Sequence, residues 1–264
     1  VKKNPEKPAW IDASALLPEK ASLVFTNRHG GVSKPPYDSL NLGFRGGDDP
    51  SDVAENRSIV ASRLGIEPER FIYLEQVHST SVRRATSVDG ARALDPGDAF
   101  AETDGSYSFE PLTVLAVLTA DCLPVALAHR DGLFVALLHA GWKGTIGNIV
   151  SSALSAIRRE VSFDPQEIVA VMGPGIGPCC YQVDEGRAFS FVEEYGDDAG
   201  VVRWGARPSI DLFAANRINL IREGLREENI KTAGFCTCCN PDCFSFRREG
   251  RTGRQAALLY LERE

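Results

Sequence analysis

No stretch of this sequence reaches the roughly 18 uninterrupted apolar residues that a membrane-spanning helix needs, and the opening VKKNPEKPAW carries basic residues with no apolar segment behind them. A soluble, cytoplasmic chain with no membrane partner is therefore expected. A basic stripe is also missing: 29 Lys and Arg stand against 36 Asp and Glu, a formal net charge of -7. Phosphate backbones are gripped by clustered cations, so nucleic acid is not an expected partner. The seven cysteines are an odd number, bunched at Cys179-Cys180 and from Cys236 to Cys243. A disulfide framework would spread them more evenly, whereas this bunching suits functional or structural thiols in a reducing compartment. No repeat period runs through the chain, which excludes a solenoid reading. Histidine is scarce, with four residues, and methionine is represented by Met172 alone.

What is present is enough apolar sequence, 43% of 264 residues, to bury a full core without staples. Leu23 to Thr26 reads as a strand broken by the Arg28-His29-Gly30-Gly31 loop, and a helix capped by Ser51 runs to Leu64 with Gly65 as its stop. Phe71 to Val77 and Ser81 to Ala85 read as short strands, and Asp89 to Asp104 as a long loop. The strongest signal is central: Leu112 to Thr119, Leu123 to Ala128 and Leu133 to His139 are near-continuous apolar runs, as strands buried on both faces require. Asp131-Gly132 between the last two is a tight-hairpin signal, which sets them antiparallel and brings Cys122 and His139 to one end.

An amphipathic helix follows, with Ile146, Ile149, Val150, Ala153, Leu154 and Ile157 at helical spacing. Ile168 to Met172 is a further strand ending in Gly173-Pro174-Gly175. A second helix from about Asp211 to Glu228 shows Ala214, Ile218, Ile221 and Leu225 on one face, and Ala233 to Cys236 and Gln255 to Leu261 read as late strands. Strands and helices mix without strict alternation, which favours an α+β fold with central mixed sheets.

Three metal-competent side chains stand at strand ends: His78 after Gln76-Val77, Cys122 after Thr119-Ala120-Asp121, and His139 before Ala140-Gly141-Trp142. A His2Cys set leaves one tetrahedral position of a zinc ion open, as a catalytic site needs. A buried histidine more often satisfies the core, and a lone cysteine often acts as a small hydrophobe. Cys122 could also be a nucleophile with His78 or His139 as its base, because two histidines beside a thiol look the same with a proton or an ion between them.

Thr119-Ala120-Asp121-Cys122-Leu123-Pro124, His139-Ala140-Gly141-Trp142-Lys143-Gly144-Thr145, Gly173 to Tyr181 and Phe244-Ser245-Phe246-Arg247-Arg248 closely resemble the signatures of the YfiH/laccase-domain multifunctional purine nucleoside family. Arg28-His29-Gly30-Gly31-Val32-Ser33 with Ser39 to Gly43 resembles its N-terminal motif, so the likeness covers nearly the whole chain. The resemblance implies one domain over residues 1–264, a four-layer α-β-β-α fold, and zinc bound by His78, Cys122 and His139. It also implies phosphorolysis of adenosine, inosine, guanosine and methylthioadenosine, together with adenosine deamination, so that purine nucleosides and inorganic phosphate are the partners. The family's older label of polyphenol oxidase or laccase makes copper the alternative metal. Four coppers would require roughly ten histidines, and the chain has four. A single copper on His2Cys would want a weak axial ligand such as Met172.

Within the matching motifs, Arg28, Lys143 and Arg248 are the candidate phosphate cations, and Asn41 is a candidate for a ribose hydroxyl or base edge. Surface exposure and turn capping are the ordinary fates of such residues. The zinc-deaminase pattern H-x-E is absent, which leaves Asp121 or Glu75 as the acid/base, with Asp121 equally readable as a strand-end hydrogen-bonding residue. Trp142 and Phe244 could stack on a purine or belong to the core. Cys236 and Cys239 make one Cys-x-x-Cys pair, which Cys179 and Cys180 could complete as a structural zinc set only if the fold brings them close. Free thiols lining the site are the preferred reading for this cluster, and no role carries over to Cys238 and Cys243.

Overall fold

The computed structural model describes residues 10–97, 100–196 and 200–263. Two mixed sheets pack face to face and each is covered outside by helices. The first contains β1 (Trp10–Asp12), β2 (Ala21–Thr26), β3 (Phe71–Ile72), β6 (Val114–Thr119) and β13 (Gln255–Leu261), in the order β1-β2-β13-β6-β3. The second contains β4 (Val82–Arg84), β5 (Gly105–Ser108), β7 (Leu123–His129), β8 (Val135–Ala140), β9 (Ile168–Met172) and β12 (Ile230–Thr232), in the order β12-β9-β7-β8-β5-β4. A separate ribbon pairs β10 (Val202–Arg203) with β11 (Ser209–Ile210).

Three apolar layers follow from strand alternation. Leu23, Phe25, Leu115, Val117 and Leu259 of the first sheet meet Ala126, Val135, Leu137 and Val171 of the second in the inter-sheet core. The opposite residues of β6 and β13, Val114, Ala116 and Leu258, pack on α1 (Pro50–Leu64) through Val60 and Ala61. The outer face of the second sheet, including Leu123, Val125 and Leu138, packs on α3 (Ile149–Arg158), α4 (Glu185–Tyr195) and α5 (Leu212–Arg222). The result is the expected four-layer α-β-β-α arrangement, completed by two short helices, α2 (Trp142–Ile146) and α6 (Phe246–Glu249).

The central runs behave as their apolar continuity requires, with β7 and β8 antiparallel and Pro124 opposite His139. Their link is wider than a two-residue turn: the N–H of His129 still bonds the carbonyl of Phe134, so Arg130 to Leu133 form the loop. Other boundaries shift for local reasons. Asp49, not Ser51, caps α1 by accepting from the Ser51 N–H. The expected helix after His139 is two helices, because Asn148 adopts φ 51° and its side chain caps α3. The helix from Asp211 stops at Arg222, ahead of Gly224 at φ 94°.

The buried face of α5 also differs from the expected one, with Asn216 and Asn219 buried and Ile221 exposed. Asn216 donates to the Thr145 hydroxyl at 3.0 Å and Asn219 to the Thr145 carbonyl at 2.9 Å. These bonds tie α5 to α2 and make two polar residues part of the core, which apolar spacing cannot reveal. No helix among the described residues is long and apolar enough to cross a membrane.

Candidate metal centre and its cavity

The chain leaves β6 in one sheet and enters β7 in the other through Ala120, Asp121 and Cys122. Cys122 thus lies where the two sheets part. Continuing the β7–β8 register sets it opposite Gly141, on the same strand face as Pro124 and His139. That face carries the inter-sheet core, so Cys122 and His139 extend it to its open end. His78 arrives from the loop after β3 with φ 64°. The nitrogen and sulfur ligand atoms of His78, Cys122 and His139 all lie within 4.8 Å of one another, with 3.7 Å from Cys122 Sγ to His78 Nε2. Gly141 makes the approach possible, since a Cβ there would sit 2.9 Å from His78 Cδ2 and 3.0 Å from Cys122 Sγ.

One residue organises this group and was not singled out from sequence. Asp104, at the end of the long loop and just before β5, is fully buried. Its Oδ1 accepts from His139 Nδ1 at 2.8 Å and from the His78 backbone N–H at 2.9 Å, while Oδ2 accepts from the Ser79 N–H and hydroxyl at 2.6 and 2.7 Å. It therefore fixes the ring of one histidine and the backbone of the other. With Nδ1–H committed to a carboxylate, His139 turns Nε2 toward Cys122, the orientation found in metal-ligating histidines.

The electrostatics are those of a coupled set. Burial disfavours charge on Asp104, but hydrogen bonds from His139 and Ser79 outweigh it and hold the carboxyl at about 2. Burial likewise opposes a Cys122 thiolate, yet the His139 and His78 rings bring the thiol down to about 6. The His139 ring resists charge because it is buried, but Cys122 and Asp104 lift it to about 9. Without a metal ion, Cys122 and His139 thus form a thiolate–imidazolium pair between those two values.

The group opens into a cavity of about 440 Å³. Among the described residues, its aromatic lining besides the histidines comes from Phe44, Tyr181 and Phe246, its cations are Arg45, Arg247 and Arg254, and Asp121 is its one carboxylate. Asp121 holds φ 106°, accepts from the Thr237 hydroxyl and the Arg247 N–H, both at 2.7 Å, and takes the Ile176 N–H on its carbonyl. Glu75 does not line the cavity and pairs with Arg45 at 2.8 Å.

None of the four expected substrate-binding residues lines this cavity. Arg28 pairs with Glu249 at 2.6 Å and with Asp38 at 3.5 Å, over the buried ring of Phe244. Arg248 donates to the carbonyls of Thr237, Cys238, Asn240 and Cys243. Asn41 is fully buried and bonds Gly43, Asp48 and the Arg254 N–H. Lys143 is exposed beside Trp142. Phe244 is core, and Trp142 packs between Lys143 and Arg187, so neither offers a face to the cavity. Among the described residues Cys122 is the one cysteine in the lining, which corrects the expectation that the clustered thiols line the site. The signal for Arg247 and Arg254 was the position of each within or beside the Phe244–Arg248 and β13 segments, but arginine alone does not distinguish a wall from a surface.

Residues 22–262 match the family model described as multi-copper polyphenol oxidoreductase laccase. The chain is 35% identical over 260 residues to the purine nucleoside phosphorylase YlmD of Geobacillus stearothermophilus, covering 96% of this chain and 95% of that one. It is 36% identical over 249 residues to the purine nucleoside phosphorylase YfiH of Escherichia coli, covering 92% and 95%. The crystal structure of the Geobacillus YlmD superposes with a TM-score of 0.92 at 33% identity over 98% of both chains. That of the hypothetical protein YfiH from Bacillus licheniformis gives 0.91 at 32% identity, over 98% of this chain and all of the other. In sequence over nearly its whole length and in the layering of its sheets, the chain belongs to the laccase-domain family of YfiH and YlmD.

Proposed function

We propose that this protein is a zinc-dependent purine nucleoside phosphorylase, cytoplasmic, acting on adenosine, inosine, guanosine and methylthioadenosine and also deaminating adenosine. The observation that carries the reading is the convergence of His78, Cys122 and His139 at a cavity walled by both aromatic rings and arginines. Two imidazoles and a thiolate are a suitable donor set for zinc, and three protein ligands leave one position open. When bound, zinc supplies a Lewis acid and acidifies water.

The chain's own residues do the rest. Phe44, Tyr181 and Phe246 offer faces on which a purine stacks. In phosphorolysis a phosphate oxygen bonds the ribose C1′ as the bond from C1′ to the purine nitrogen breaks, and the purine leaves with the electron pair and gains a proton. Arg254 and Arg247 are the cations we assign to the phosphate dianion while positive charge develops on the sugar. Burial pulls the Arg254 guanidinium below its usual range, whereas the charges of Cys122 and Asp121 favour its charged form. Arg28, Arg248 and Asn41 then hold the loops that shape the wall. Asp121 is assigned the proton transfer that deamination needs.

Phosphorolysis makes a direct test possible. Adenosine cleavage should require phosphate and yield ribose 1-phosphate. Arg254→Ala should raise the phosphate requirement and lower efficiency about ten- to a hundredfold, the cost of one charge-assisted hydrogen bond, with metal content unchanged. Cleavage by the wild type without phosphate, giving free ribose, would discard the phosphorylase reading.

Metal loading should also be linked to protons. Between about pH 6 and 9 the metal-free site carries a proton on His139 that an ion must displace, so affinity should rise about tenfold per pH unit there. Below about 6 the Cys122 thiol adds a second proton and the slope steepens, while above about 9 it flattens. Calorimetric zinc titrations in buffers of different ionisation enthalpy measure this release directly, and pH-independent affinity would remove His139 from the ligand set.

A second reading is supported by one observation: Asp104, His139 and Cys122 stand in the order of a nucleophilic triad, with the thiol at about 6. One zinc ion at the His78–Cys122–His139 group, protecting Cys122 from alkylation, would decide against it. For the copper oxidase reading the surroundings are poorer, since Met172 is buried in the helix-side core and does not line the cavity. His29 is paired with Asp242 and His129 packs against Phe134, leaving no further imidazole in the lining among the described residues.

A further inference from the structure

Parallel strands deliver their following loops to the same end of a sheet, and β9 and β12 are parallel neighbours, with Thr232 opposite Met172. The segments that leave them stay together. Thr237 N–H bonds the Gly175 carbonyl at 3.0 Å, and Gly175 and Cys236 form an isolated parallel bridge. The first segment then presents Cys179 and Cys180. The second makes a tight turn in which the Cys239 N–H bonds the Cys236 carbonyl, so the two sulfurs of this Cys-x-x-Cys pair face one side.

The four thiols meet. All four sulfurs lie within 4.8 Å of one another, with 3.4 Å between Cys180 and Cys239 and 3.7 Å between Cys179 and Cys239. A tetrahedron with zinc–sulfur bonds of about 2.3 Å has sulfurs about 3.8 Å apart, and the observed separations are close to that spacing and far from a disulfide bond. The Gly177 N–H also points at Cys236 Sγ from 3.2 Å, a donor aimed at a thiolate. A side chain at Gly177 would crowd the group, since its Cβ would sit 3.3 Å from both Cys179 Sγ and Cys236 Cβ.

We propose that Cys179, Cys180, Cys236 and Cys239 form a second, structural metal site that takes one zinc ion and staples the two loops together. Soft thiolates in a tetrahedral set select zinc or iron among divalent ions, and four protein ligands close the shell to substrate. Crowded thiols cannot all ionise unless a cation sits among them. The staple bears on the cavity. Tyr181 follows the first cysteine pair into the cavity wall, and Thr237, within the second, holds Asp121 beside Cys122. Arg247 reinforces the same junction by donating to the carbonyls of Cys180 and Gln182. Cys238 and Cys243 stand outside the group.

The test keeps this site separate from the first. A His78→Ala/Cys122→Ser variant, purified under reducing conditions, should retain about one zinc per chain, and its zinc absorption spectrum should show four sulfurs at about 2.3 Å with no nitrogen. The wild type should hold about two zinc ions per chain, one in each group. A Cys179→Ser/Cys239→Ser variant should lose the all-sulfur ion, keep the other, and melt at a lower temperature. If that variant does not fold, the first measurement still decides. Loss of all zinc from His78→Ala/Cys122→Ser, iron in its place, a mixed nitrogen–sulfur shell, or a disulfide among the four cysteines in the reduced wild type would each overturn the proposal.

Discussion

Cys122→Ala protein should fold, carry no metal at the His78–His139 group and turn over no nucleoside. The thiolate is the one anionic donor of the three, and the side chain is small and sits at the end of an intact strand pair. Removing it leaves two imidazoles, and the His139 ring loses the largest of the interactions that hold it at about 9. Without that partner the His139 ring falls back toward its ordinary value, and two neutral nitrogens bind zinc far more weakly than a set containing sulfur. The loss should exceed the roughly 10- to 100-fold that removing an outer partner of a metal ligand costs. Metal analysis, adenosine cleavage and thermal melting on one preparation check the three claims. Under the structural-zinc proposal the total should fall from about two ions per chain to about one. Retention of full activity and of both ions would make Cys122 an ordinary core residue.

The same strand pair explains what the sequence made legible. Apolar continuity in Leu123 to Ala128 and Leu133 to His139 specifies adjacent buried strands, and a short link between them leaves only the antiparallel pairing, so Cys122 and His139 had to meet. His78 had no such argument, because it lies in a loop whose path depends on Asp104. Asp104 was invisible for a related reason. The strand that follows it, Gly105-Ser106-Tyr107-Ser108, is polar by composition, so its pairing with β8 leaves no apolar trace and the preceding carboxylate reads as the end of a loop. Arg28, Arg248 and Asn41 carry the opposite lesson. Their motif positions are real, but each side chain is held by neighbouring loop carbonyls and carboxylates away from the cavity, whereas Arg247 and Arg254, one residue or a few away, both bond loop carbonyls and line the cavity. A shift of one position along α6 decides whether the arginine reaches the cavity wall. The convergence of Cys179 and Cys180 with Cys236 and Cys239 rests on β9 and β12 being parallel neighbours, a pairing across some sixty residues that local spacing does not encode.

Asp104→Asn is the more diagnostic change at the centre because it preserves shape and alters only charge and donor pattern. Each carboxylate oxygen accepts at least two N–H or O–H bonds: Oδ1 from His139 and the His78 backbone, Oδ2 from the Ser79 backbone and hydroxyl, with the Val77 N–H at 3.2 Å. Whichever way an asparagine is turned, its NH2 group faces N–H donors, and a buried donor is left without an acceptor. Two effects follow. Metal affinity should fall about 10- to 100-fold, since His139 loses the carboxylate that orients its ring and strengthens its Nε2 as a ligand. The metal-free protein should lose about 3 to 5 kcal/mol of stability, the usual cost of removing one partner of a buried ion pair. The pH profile tells this apart from a generic core defect. Asp104 is held at about 2 against an ordinary 3.8, so its contribution is complete above 3.8 and disappears as pH falls through 2. His139, raised from 6.5 to about 9, contributes fully below 6.5 and loses that contribution as pH rises through 9. Metal-free wild type should therefore outlast the variant most clearly between about pH 4 and 6.5, with the difference narrowing toward both extremes to the pH-independent cost of the unpaired donor, a bell that denaturant titrations across pH would trace. A constant difference at every pH would mean that Asp104 acts by packing, and that the charge on His139 is set elsewhere.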